Sequence, residues 1–309
     1  MAKPVKLLSV GALTLDMILR VETLPGHQGK FIASDGVQIA SGMAASAACA
    51  AHRLGAEVSL WASTGDDPAG DQLIAGIEAE GVDCSYVRRV GGARSALASI
   101  LVDAHGERII VPFYDSRAQA DPETLPFTDV TAFDAVLVDV RWPGAAALAL
   151  KAARAAGLPA ILDADTSPLA VLEQLLPLAS HIVASEPAVR IICGQALDLE
   201  TACHELASRT DAFVAVTGGA AGTWWFDRST RIVRHVATPK VKVVDTLAAG
   251  DVYHGAFTVG LAEAMPIENA LRFASAAAAL KCQRFGGRLG APERTETLAM
   301  MEAHWPAQA

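Results

Sequence analysis

The stretch Val244–Phe257, VDTLAAGDVYHGAF, places two acids and a glycine at the mouth of an apolar run that reads as a helix over Val252–Ala264. A short strand is expected just before it, over Val241–Val244, so that Ala248, Ala249 and Gly250 stand at a strand-to-helix turn and Asp251 opens the helix. Asp is a preferred helix N-cap, because its oxygens accept hydrogen bonds from unpaired amides and its charge suits the positive end of the helix dipole. Capping alone would account for Asp251. The same place offers a second chemistry, since free amides at a helix start attract phosphate. A carboxylate beside them would be aimed at any hydroxyl approaching that phosphate and could accept its proton during transfer.

Outward from this stretch, strand and helix patterns alternate. Val5–Val10 reads as a strand, Ala44–Leu54 as a helix of small residues closed by Gly55, Val58–Ser63 as a strand, and Ala69–Glu80 as a helix stopped by Gly81. The rhythm continues through Ala135–Asp139, Ala145–Ala156, Ala160–Asp163, Val171–Leu176, His181–Ala184, Leu199–Ser208 and Phe213–Thr217. Such repetition predicts a mainly parallel sheet with helices on both faces, and ligands of such sheets bind beyond the carboxyl ends of the strands. Two segments break the rhythm: residues 14–40, and residues 95–114, where ALASILVDAHGERIIVPF reads as two strands around a turn at His105–Gly106. They are expected to form a small β appendage able to cover the ligand edge, although an ordinary surface hairpin would show the same pattern.

The totals narrow the function. At 309 residues the chain can bury a large core, and a net charge of −9 repels polyanions, which argues against nucleic acid as a partner. Five scattered cysteines without a C-x-x-C pair read as reduced core thiols of a cytoplasmic protein, and no apolar run reaches the roughly 20 residues of a membrane helix. There is no G-x-x-x-x-G-K-[ST] and no G-x-G-x-x-G after the first strand. Thr217, Gly219 and Gly222 would let a nucleotide phosphate or ribose come close to the backbone, though a tight turn explains the same glycines. Asp16, expected to close the first strand, could take two sugar hydroxyls, and Gly42 could let backbone approach a sugar ring; a solvated turn and a helix-entry turn are the plainer alternatives.

Together these pieces resemble the ribokinase (PfkB) family of ATP-dependent carbohydrate kinases over nearly the whole chain. The resemblance is carried by Asp16, by SGMAASAA at 41–48, by TGDDPAGDQLIAGIEAEGVD at 64–83, by VTGGAAG at 216–222 and, most specifically, by DTLAAGD at 245–251. It implies a Rossmann-like, three-layer α/β/α fold spanning 1–309 with a β-sheet lid, ATP with Mg2+ as cofactor, the phosphate over Ala248, Ala249 and Gly250, and Asp251 as catalytic base. Three positions depart from the family pattern. Ala248 stands where Gly is usual, so it must keep a negative φ or accept a cost on the order of 1 kcal/mol. Ser46 replaces an Asn. The family's Asn-x-x-Glu falls on Ser185–Ala188, leaving Ser185 beside the nucleotide and Glu186, with Asp163 and Asp165 of LDADTSP, as water-mediated magnesium holders. The sequence leaves open whether a monovalent cation assists near Asp245.

Several stretches resemble the 6-deoxy-6-sulfofructose kinases in particular: GKF at 29–31, VLVDVRWPGA at 136–145, ASEPAVR at 184–190 and the run at 271–292. That resemblance implies that Lys30 and Arg141 hold a sulfonate, a fixed anion that needs cationic donors. The asparagine that accompanies them falls at Pro112, so an anionic sugar and a neutral ketohexose such as fructose both remain open, as do a nucleoside kinase and a non-catalytic sugar or nucleotide sensor. A homodimer through exposed lid strands is expected.

Overall fold

The computed structural model describes residues 3–306. In chain order the strands and helices are β1 (Lys6–Gly11), β2 (Thr14–Arg20), β3 (Asp35–Ser41), α1 (Met43–Arg53), β4 (Glu57–Gly65), α2 (Pro68–Glu78), β5 (Arg88–Val90), β6 (Leu97–Val102) and β7 (Arg108–Phe113). They continue with β8 (Ala135–Val138), α3 (Pro143–Ala155), β9 (Ala160–Ala164), α4 (Leu169–Leu175), β10 (His181–Ser185), α5 (Glu186–Cys193) and α6 (Leu199–Ser208). The chain ends with β11 (Phe213–Thr217), β12 (Thr223–Asp227), β13 (Ile232–Val236), α7 (Ala249–Ala262), α8 (Ile267–Lys281) and α9 (Arg294–His304).

The large sheet has the order β13-β12-β11-β10-β9-β8-β1-β4-β5. All its pairs from β11 to β5 are parallel, while β12 and β13 extend it antiparallel. Alternate residues of each strand point to opposite faces, and this period of two splits the core. Leu137, Ile161, Val183 and Ala215 pack with α1, α2, α7 and α8, whereas Val136, Val138, Leu162, Ile182 and Val214 pack with α3, α4, α5 and α6. Three layers result. On the first face, α7 lies close against α1 and α8 because small residues meet there: a Cβ at Gly255 would collide with the Ala47 carbonyl, and one at Gly260 would lie 2.8 Å from Ala270 Cβ.

The two segments that interrupt the β-α rhythm build a second sheet of order β3-β2-β6-β7. β2 pairs antiparallel with β3 and parallel with β6, and β6 and β7 form the hairpin read in the sequence. Its inner face buries Ile18, Ile39, Ala98, Ile100 and Val102 against Leu247 of the 245–250 turn, with Phe285 packed alongside. This lid sheet is thus seated directly on the stretch that opened the sequence reading.

Two expectations change here. Residues 241–244 form no strand; the Val244 and Asp245 amides instead donate to the Cys282 carbonyl, at 2.8 and 3.2 Å. And β1 ends at Gly11, so Asp16 does not close the first strand but sits on lid strand β2, on the same face as inward-pointing Ile18.

Candidate functional site

The carboxyl ends of the parallel strands and the start of α7 converge on one edge of the large sheet. Asp139 and Arg141 follow β8, Asp163 and Asp165 lie at the end of β9, Ser185 ends β10 and Thr217 ends β11. The lid brings Asp16 to the same edge.

α7 begins earlier than the apolar pattern suggested, at Ala249, which makes Ala248 the N-cap and Asp251 the third helical residue. Capping therefore does not explain Asp251. Ala248 has φ 61° and ψ 10°, the left-handed region, so the chain accepts the strain, about 1–2 kcal/mol for a residue with a Cβ. This conformation opens the turn. The Ala248, Gly250 and Asp251 amides have no protein acceptor among the described residues, whereas Ala249 N–H is engaged at 3.2 Å by the Thr246 carbonyl. The free donors of this turn are accordingly the amides of Ala248, Gly250 and Asp251 rather than that of Ala249.

Asp251 is half-buried, and burial together with Asp163, Asp165, Asp139 and Asp16 nearby lifts its pKa well above the usual carboxylate range. The Asp163 pKa is raised well above that range by burial and by Asp165 and Asp139. Its only side-chain partner among the described residues is His254, whose Nε2 stands 3.3 Å from Asp163 Oδ1. The other ring nitrogen of His254 lies 2.7 Å from the Gly250 carbonyl and so braces the first turn of α7. Asp16, 6% exposed, is also raised by burial, opposed by hydrogen bonds from Thr14 and Ser41.

Asp139 was not singled out in the sequence, where it looked like the polar end of a strand. It is 1% exposed and accepts three amides: Ala12 and Ala44 on Oδ2 at 2.7 and 2.9 Å, and Arg141 on Oδ1 at 2.7 Å. One carboxylate thereby ties the turn after β1, the start of α1 and the turn after β8 together. Gly11 is required beside it, because a Cβ there would overlap the Asp139 carboxyl group. Gly42 N-caps α1 at φ 110°, where a Cβ would lie 2.5 Å from the Ala12 carbonyl, so its glycine is already demanded by the fold. Gly11, Ala12, Ser63, Tyr114, Gln119 and Arg141 help line a small cleft of about 60 Å³ on this side.

Lys30 is exposed on the β2–β3 connection and makes no ion pair among the described residues, while Arg141 is engaged with the Thr166 carbonyl at 2.9 Å and with Asp165 at 3.5 Å. Pro112 lies in register with Ala98 and Asp16, on the site-facing side of the lid.

Of the residues expected near a nucleotide, Ser185 caps α5 and donates to Asp165 Oδ1 at 2.9 Å. Thr217 Oγ1 donates to the Ala184 carbonyl at 3.4 Å. Gly222, at φ 107°, could not hold a Cβ against Val236 O, whereas Gly219, at φ 57°, faces open space. Among the described residues no three His, Cys, Asp or Glu side chains are grouped as a metal site. Glu186 pairs with Arg190 one helical turn on, at 2.7 Å. Asp163 and Asp165 suit a divalent cation held through water, because the repulsion between neighbouring carboxylates that helps raise the Asp163 pKa is relieved by one.

Beside Asp245, where the sequence left room for a monovalent cation, stands the ammonium of Lys281. Lys281 and Asp245 are both fully buried; Lys281 Nζ donates to the Asp245 carbonyl at 2.6 Å and lies 3.2 Å from Asp245 Oδ2.

A site of clustered carboxylates and a strained helix entry carrying free amides, under a β lid, belongs to phosphoryl-transfer chemistry. Residues 5–294 match the family described as pfkB family carbohydrate kinase, and the chain belongs to that family. It is therefore a carbohydrate kinase. It is 28% identical over 305 residues to the ribokinase of Haemophilus influenzae, covering 95% of this chain and 97% of that protein. It is 27% identical over 310 residues to the ribokinase of Arabidopsis thaliana, covering 96% and 81%. Among solved structures, one described as a candidate ribokinase from Agrobacterium tumefaciens superposes with a TM-score of 0.95 at 45% identity, covering 99% of this chain and all of that one.

Proposed function

We propose that the protein transfers the γ-phosphoryl group of ATP to a primary hydroxyl of a sugar, most simply a ketose or ketose derivative. The observation that carries this reading is the set of unpartnered amides at the start of α7 with the raised Asp251 carboxyl among them. The sugar hydroxyl oxygen attacks the γ-phosphorus, the bond to the bridging oxygen breaks, the hydroxyl proton passes to Asp251, and ADP leaves. The free amides of Ala248 and Gly250 take the charge of the transferred group's equatorial oxygens, so placement and electrostatics supply most of the rate. A raised pKa suits Asp251 to this, because a base whose pKa approaches the working pH still accepts a proton readily.

Asp16, projecting from the lid, would take sugar hydroxyls, with Gly42 behind the ring. Thr217, Gly219, Gly222 and Ser185 would flank the nucleotide, and Gly219 is the glycine the fold leaves free for close approach. Magnesium, held through water by Asp163 and Asp165, would neutralise charge on the phosphates. The ribokinase relatives favour ribose among the acceptors to be tried. A sulfonated ketose is supported by the unpaired Lys30 alone, since Arg141 would first have to leave Asp165. The lid also carries an exposed apolar edge, with Ile109, Ile110 and Val111 at 38, 44 and 61% exposure on β7, suited to pairing with a second copy.

ADP release over ribose, fructose and sulfofructose tests the reading. Turnover of at least one supports it, and the sulfonated form is favoured only if Arg141→Glu weakens sulfofructose binding far more than ATP binding. No ADP release with these or with nucleosides, alongside intact sugar or nucleotide binding, would convert the protein into a sensor.

A further inference from the structure

We propose that Lys281 is a positioning residue that serves as a built-in cation beneath the anion hole, so that catalysis proceeds without a bound monovalent metal ion. This rests on the kinase reading of the same site. The case begins with burial: a lysine at the end of α8 with no exposed surface is held there only if its charge is matched. Its match is Asp245, the residue from which the 245–250 turn springs. Asp245 is surrounded by donors, with the Leu247 amide on Oδ1 at 2.8 Å and the Gly286 and Gly287 amides on Oδ2 at 3.0 and 2.9 Å. Two successive glycines at φ 101° and 58° make that pair of amides converge on one oxygen, an anion-binding nest.

Lys281 adds a contact the amides cannot make. It holds the main-chain carbonyl of Asp245 as well as its carboxylate, fixing the direction in which the turn leaves. The Cys282 carbonyl, next along, holds the amides of Val244 and Asp245. The segment 281–287 is thus a mould for residues 244–247, and the free amides of Ala248 and Gly250 follow immediately. A carbonyl oxygen and a carboxylate oxygen converging on one point are hard ligands of the kind that hold an alkali cation. Here that point is filled by an ammonium carried on the chain.

The test compares the protein with Lys281→Ala and Lys281→Met, in potassium chloride and in tetramethylammonium chloride of equal ionic strength. The unsubstituted protein should turn over equally in both salts; activation by potassium would overturn the inference. Lys281→Ala removes the charge and leaves space, and should lose about 10- to 100-fold in kcat with nucleotide affinity little changed, since misplacing the turn costs rate more than binding. Potassium or ammonium should restore much of that loss and raise the melting temperature of this variant alone. Lys281→Met fills the space without charge and should stay slow in every salt; full activity of Lys281→Met, or a Lys281→Ala variant indifferent to cations in both rate and melting, would refute the proposal. If no sugar is turned over, selective thermal stabilisation of Lys281→Ala by potassium would still establish the cation role while the kinase reading failed.

Discussion

Replacing Asp139 with Ala should destabilise the protein and loosen the sugar side of the site together. The carboxylate is 1% exposed and is the acceptor for the amides of Ala12, Ala44 and Arg141. A hydrogen bond to a charged group contributes about 1.5–3 kcal/mol, and each buried amide left without an acceptor costs about 1–3 kcal/mol. Removing the side chain also removes the cost of burying it, which is appreciable because burial raises the Asp139 pKa despite its three amides. The opposing effects leave an expected net loss of about 3–5 kcal/mol, in the range found when one member of a buried charged network is deleted. Asp139→Asn should fall between, because its amide group would face the Arg141 N–H with a donor where an acceptor is needed. Urea unfolding followed by circular dichroism measures the loss, and the sugar KM measured on the same preparations should rise, since the turns holding Ala12 and Gly42 lose their common anchor. An Asp139→Ala protein within about 1 kcal/mol of the parent would refute the reasoning, for it would mean that water or neighbouring carbonyls satisfy those amides without cost.

Ala248→Gly should relieve the left-handed strain at φ 61°, partly offset by the greater freedom glycine gains in the unfolded chain, so the variant should be more stable by up to about 1 kcal/mol, read as a small rise in melting temperature with activity kept. Asp251→Asn should melt higher than the parent at neutral and alkaline pH. Its pKa is raised in the folded state, so the ionised form opposes folding above that pKa; the opposition fades as the pH falls through the folded value, and the advantage of Asn should close below about pH 4, where the unfolded group is protonated too. Leu247→Ala should cost about 2–4 kcal/mol and raise lid mobility in hydrogen exchange, because Leu247 is the core residue that the 245–250 turn gives to the lid.

Much of this architecture was legible in the sequence because its determinants are local. Leu199–Ser208 and Phe213–Thr217 have the boundaries their patterns predict, since apolar periodicity and flanking polar residues settle them. The start of α7 was not legible in that way: Ala249 and Gly250 look like turn residues, and only the left-handed Ala248 behind them lets the helix begin there. Residues 241–244 are rich in valine and read as a strand, yet tertiary hydrogen bonding to Cys282 overrode that propensity. Asp16 was recognised as a polar group near a strand end but assigned to the wrong strand, because β1 and β2 are separated by only two residues, Ala12 and Leu13. Asp139 and Lys281 escaped notice because their partners are distant in sequence: Asp139 meets Ala12 across 127 positions, and Lys281 meets Asp245 across 36.

The most direct test of phosphoryl transfer at the α7 entry is Asp251→Asn measured for turnover and for nucleotide affinity on one preparation. The account predicts that kcat falls by about 100-fold or more while ATP binding by calorimetry stays nearly unchanged. Full turnover by the Asn protein would contradict it.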